Sequence, residues 1–113
     1  MEFSDLKADI MKAIHDTEMQ SISIRHKGDI DPDRFLPWLN ELVQREGPDI
    51  LRCKGIIAFK NEPRRFVFQG VHMLFDAKFD REWGGQPRQN TLVFIGKNLE
   101  RAKLTEQFKA CLA

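Results

Sequence analysis

Between Asp49 and Phe75 the chain reads DILRCKGIIAFKNEPRRFVFQGVHMLF, two long apolar runs joined by a short polar turn. Ile50 to Phe59 and Phe66 to Phe75 are rich in β-branched and aromatic residues, with Asn61, Glu62, Pro63 and Arg64 between them, which predicts a β-hairpin. The rest of the chain is read as built around it. Arg52, Lys54, Gln69 and His72 interrupt the two arms. Polar groups inside strands lie on an open sheet face or are held by partners, because an unpaired buried charge is costly.

A four-residue loop closed by Lys60 and Arg65 would set Cys53 opposite His72 and Gly55 opposite Gly70. One face then carries Cys53, Gly55, Ile57, Phe59, Phe66, Phe68, Gly70, His72 and Leu74, the natural side for a core. The other carries Arg52, Lys54, Ile56, Ala58, Val67, Gln69, Val71, Met73 and Phe75, an apolar surface studded with polar groups. A slip of one residue would exchange the faces on one strand.

The flanking segments supply one helix and one strand on each side. Gln20 to His26 alternates, Ile22 and Ile24 against Ser21, Ser23 and Arg25, which predicts a half-buried strand. Asp31 is placed to cap a helix that begins with Pro32 and carries Phe35, Leu36, Trp38, Leu39, Leu42 and Val43 on one stripe, ended by Gly47 and Pro48. Pro37 conflicts with that helix, since it leaves the Asp33 carbonyl without its usual donor. After a loop from Asp76 to Asn90, TLVFIGK (Thr91 to Lys97) predicts a strand apolar on both faces. A terminal helix from about Glu100 carries Leu104, Phe108, Cys111 and Leu112. With a linker or short helix over residues 1 to 19, the order is (α)βαβββα. The expected fold is α+β, a two-layer sandwich with a mostly antiparallel sheet of four to five strands and helices on one face.

At 113 residues and 31% charged residues the chain suits one globular domain, residues 20 to 113. A net charge of +1 gives no field to recruit nucleic acid or an anionic membrane, and no apolar run is long enough to span a bilayer, so the expected location is cytoplasmic. Cys53 and Cys111 form no CxxC pair and are expected as reduced, buried thiols. No phosphate-binding loop, dinucleotide fingerprint, GxSxG elbow or calcium loop occurs, and the acids Asp76, Asp80 and Glu82 have no nucleophile beside them, so the chain is not expected to be an enzyme. RCKGIIAF approaches the signature of RNA-binding sheets but lacks the aromatic residue after the glycine. A Cys53 and His72 pair would offer two soft ligands to zinc or cobalt, fewer than a metal site needs. A small-ligand or metal-binding domain using these two residues stands as the alternative reading.

In chain order, Ser21-Ile22-Ser23, the helix with Asp31, Phe35, Trp38 and Leu39, Arg52-Cys53-Lys54-Gly55, Gln69-Gly70-Val71-His72, Trp83, Arg88 and Val93-Phe94-Ile95-Gly96 together resemble the C-terminal domain of the CobW family of GTPases and metal chaperones. The resemblance implies a non-catalytic module that follows a GTP-hydrolysing domain, packs on it or on a metalloprotein client, and couples nucleotide state to metal delivery. It implies no cofactor in this chain, with zinc or cobalt and GTP belonging to the parent protein. The partner-binding surface is expected at Arg52, Lys54, Gln69 and His72, with Trp83 and Arg88 from the neighbouring loop. Homo-oligomers are expected through the TLVFIGK and SISIR strands if these lie at sheet edges.

Overall fold

The structure, a computed structural model, describes residues 19–71 and 74–113. The element expected over residues 1 to 19 lies outside them apart from its last residue, as does His72. Five strands and two helices follow one another as β1 (Gln20–Lys27), α1 (Pro32–Glu46), β2 (Ile50–Ile57), β3 (Arg64–Val71), β4 (Leu74–Glu82), β5 (Gln89–Gly96) and α2 (Arg101–Lys109). They form one antiparallel sheet in the order β1-β5-β2-β3-β4. The α+β class and the helix layer on one face are as the sequence predicts. Among the described residues no helix is long and apolar enough to cross a membrane.

The sequence pattern explains most of this. Ile22 and Ile24 of β1 stand opposite Phe94 and Leu92 of β5, and Cys53 and Gly55 of β2 continue the same rows. With Ile57, Phe66 and Phe68 they form the floor of the core, on which Phe35, Leu39 and Leu42 of α1 and Leu104 and Phe108 of α2 pack. Phe35 is the hub, with ring centroids 5.7 to 6.4 Å from Trp38, Phe59, Phe66, Phe68 and Phe108. The Trp38 indole N–H donates to Gln107 Oε1 at 2.8 Å and ties the two helices together. Asp31 caps α1 by accepting from the Asp33 N–H at 2.9 Å, with Pro32 following. The helix runs on through Pro37, which is exposed like Asp33, so water can take the orphaned carbonyl.

The central hairpin differs from expectation in three ways. Its register is shifted by two residues, so Cys53 pairs with Gly70 and Gly55 with Phe68. The tight turn falls early, with the Glu62 N–H donating to the Phe59 carbonyl and Asn61 at φ 64°. A shift of two keeps every side chain of β2 and β3 on its expected face. Second, the arm from Phe66 to Phe75 is not one strand: β3 ends at Val71, β4 starts at Leu74, and these two residues pair. Phe75 therefore stands opposite Gly70, on the helix side, stacked on Phe68 at 6.0 Å. Third, half of the expected loop from Asp76 to Asn90 is the edge strand β4. TLVFIGK in turn is internal, between β1 and β2, and offers no edge for pairing between chains.

Candidate functional site

The sheet face away from the helices gathers three of the expected site residues. Arg52 pairs with Val71, and Lys54 with Gln69, so Arg52, Lys54 and Gln69 share that face as their spacing predicts. Beside them a shallow depression of about 230 Å³ is floored by Ile56 and Val67 and walled by Lys54, Arg65, Gln69, Asp76, Lys78 and Asp80. Charges of both signs alternate across it. Arg65 donates to Asp80 Oδ2, and this hydrogen bond, aided by the Arg81 N–H, holds the Asp80 carboxyl below the usual carboxylate range. Arg65 Nε is buried without a partner. Lys54 is only 4% exposed, and both it and Arg52 already have an interaction partner within the chain.

Trp83 and Arg88 lie at the other end of the hairpin. The Arg88 guanidinium donates to the carbonyls of Phe59 (2.7 Å) and Glu62 (3.0 Å) and to Asp29 Oδ1 (3.0 Å), and lies 5.8 Å from the Trp83 ring. Trp83 is 7% exposed, and its backbone N–H donates to Pro63. The structure brings this pair together with the hairpin turn and away from Arg52.

One polar residue at the same end carries no sequence signal. Asn90 is fully buried, accepts from the Ala58 N–H at 2.8 Å and donates to the carbonyls of His26 (3.0 Å) and Gly28 (2.7 Å). It satisfies backbone groups of two segments at once, where β1 and β2 leave the sheet and β5 enters it.

The cross-strand register assumed for the two-residue metal reading is not the observed one, and His72 lies outside the described residues. Cys53 stands opposite Gly70, is buried, and its thiol is pushed up to about 11 by desolvation, against a weaker opposing hydrogen bond with Gly70. Metals take the thiolate, which burial disfavours. No cluster of three or more His, Cys, Asp or Glu able to hold a metal occurs among the described residues, which do not by themselves fit a resident metal.

Residues 19–112 match the model of the cobalamin synthesis protein cobW C-terminal domain. The chain belongs to this family. As a CobW C-terminal domain it is 40% identical over 86 residues to the zinc chaperone CobW of Pseudomonas aeruginosa, covering 75% of this chain and 22% of that protein. It is 31% identical over 91 residues to the zinc chaperone YjiA of Escherichia coli, covering 80% of this chain and 29% of that one. The crystal structure of Zn(II)-bound YjiA GTPase from E. coli superposes with a TM-score of 0.81 at 28% identity, over 91% of this chain and 32% of the other. A Zn(II)-bound triple mutant of YjiA gives the same TM-score at 29% identity, over 85% of this chain and 30% of the other. This CobW C-terminal domain thus spans less than a third of the relatives it matches.

Proposed function

We propose that this chain is the non-catalytic C-terminal module of a CobW-like GTPase metallochaperone in the cytoplasm. In this reading it packs on the GTPase domain, on a metalloprotein client, or on both, and couples nucleotide state to delivery of the metal. The observation that carries the reading is the match of residues 19–112 to a domain that makes up less than a third of zinc chaperones of known name. Zinc is favoured over cobalt as the cargo because both of those relatives are zinc chaperones.

The helix-free face around Arg52, Lys54 and Gln69 is the proposed contact surface. Its depression presents Arg65, Asp76, Lys78 and Asp80 within one shallow wall, a pattern that gives specificity to a docking surface by charge complementarity. Trp83 and Arg88 serve this surface indirectly in the proposal, by bracing the turn end of the hairpin.

The test is association of this chain with the GTPase domain of the P. aeruginosa relative, read by titration calorimetry and by GTP turnover. Arg52→Glu combined with Gln69→Lys is expected to weaken association at least about tenfold, the loss of one or two good interface contacts. Circular dichroism keeps the fold in view. Unchanged association and turnover in a folded double variant would remove the contact surface from this face.

A further inference from the structure

The two edges of the sheet are treated differently. At β1, Arg101 reaches from the start of α2 to the carbonyls of Ser23 (3.1 Å) and Ser21 (3.4 Å). At β4 every residue from Leu74 to Glu82 is exposed, and β3 is its one strand neighbour in the described sheet. Natural sheets normally cover or blunt such an edge.

The side chains of β4 alternate with period two. Phe75, Ala77 and Phe79 stand opposite Gly70, Phe68 and Phe66 on the helix side, while Asp76 and Lys78 stand opposite Gln69 and Val67 on the other. Phe75 and Phe79 are each 41% exposed and Leu74 is 80% exposed, although their neighbours belong to the core. A groove of about 200 Å³ runs between β4 and α1, lined by Leu36, Leu39, Val43, Phe66, Phe75 and Ala77. Leu36, expected in the core stripe of α1, is 43% exposed at its rim.

We propose that the partner at this edge is a second copy of the chain, paired antiparallel through β4 about a two-fold axis at Ala77. A two-fold axis on a residue sets that residue against itself and its neighbours against one another. With the axis at Ala77, Asp76 faces Lys78 of the partner subunit and Phe75 faces Phe79 of the partner subunit, each pair occurring twice. An axis at Asp76 would set two carboxylates face to face, and an axis at Lys78 would oppose two ammonium groups and set Asp76 against Asp80. An axis at Phe79 would carry the pairing into the irregularity of β4 near Glu82, onto Asp80, which Arg65 already holds. Axes between residues would place apolar side chains opposite charged ones. Of these axes, only the one at Ala77 combines matched charges at Asp76 and Lys78 with a continuous apolar row at Phe75, Ala77 and Phe79, leaving Leu74 at the strand end opposite Asp80 of the partner subunit. That row extends the helix side of the sheet past the groove.

Sedimentation velocity on the 113-residue chain tests this. The expected species has about twice the 13.2 kDa mass of the monomer. Asp76→Lys alone or Lys78→Asp alone creates two like-charge pairs and is expected to weaken the dimer at least about tenfold. The double exchange, Asp76→Lys with Lys78→Asp, restores the matched pairs and is expected to restore the dimer. All these positions are exposed, so the variants should fold, as circular dichroism can confirm. Amide exchange along wild-type β4, slowed as protein concentration rises, is a second readout that needs no variant. A monomer at every concentration, a dimer indifferent to the single exchanges, or protection of β4 that appears only when the relative's GTPase domain is added would each overturn the proposal.

Discussion

The ring of Phe68 fills the space that a Cβ on residue 55 would need, because β3 lays this side chain directly over Gly55 of β2. Phe68 is fully buried and touches Phe35 and Phe75, so it cannot move aside cheaply. Gly55→Ala is therefore expected to destabilise the chain by about 1–3 kcal/mol through overpacking, measured by urea denaturation. The double variant with Phe68→Leu should lose less stability than the sum of the two single losses, because the smaller side chain relieves the clash.

Asn90 gives a second expectation. Asn90→Ala leaves the Ala58 N–H and the carbonyls of His26 and Gly28 without their partner in a buried setting. A loss of about 2–4 kcal/mol is expected, as a lower urea midpoint with an unchanged slope. Asn90→Asp keeps the acceptor for Ala58 but loses both donated bonds, and should not rescue the loss.

The Cys53 thiol sets a pH dependence. Its folded value of about 11 lies above the ordinary value of 9.0 because burial disfavours the thiolate. Between these values the unfolded chain has released a proton that the folded chain keeps, so stability is fully present below pH 9 and falls as pH rises toward 11. The loss amounts to about 2–3 kcal/mol at the top of that window. Cys53→Ala should flatten this part of the stability profile, and Cys53 in the native chain should react slowly with a thiol reagent at pH 8.

Arg88 offers a local test. Its guanidinium joins Asp29, Phe59 and Glu62 beside Trp83. Arg88→Lys keeps the charge but loses the planar fork that reaches three acceptors. In a Trp38→Phe background, the expected result is a red-shifted Trp83 emission with a stability loss of about 1–3 kcal/mol.

Much of the fold is legible because its signals are local. Asp31 and Pro32 announce α1, and the alternation of Ile22 and Ile24 announces β1. The faces of Arg52, Lys54 and Gln69 follow from side-chain period alone, which survives a two-residue shift of register. The shift itself came from turn chemistry: Asn61, a residue tolerant of positive φ, marks the turn more strongly than Pro63 does. β4 escaped because the reversal between Val71 and Leu74 carries no glycine or proline, and because Phe75, Ala77 and Phe79 are diluted by charges. Asn90 could not be read at all, since its partners lie at and just beyond the end of β1 and in the β2–β3 connection, far away in sequence.

The guanidinium of Arg101 over the β1 carbonyls has an effect on how large an assembly of such sheets can become. A sheet with two open edges can add copies indefinitely and grow toward a fibre. With β1 stoppered, only one edge remains receptive, and head-to-head pairing there uses it up on both molecules. If copies pair through β4 as proposed, growth would terminate at two, with Arg101 at the start of α2 occupying carbonyls of the other edge.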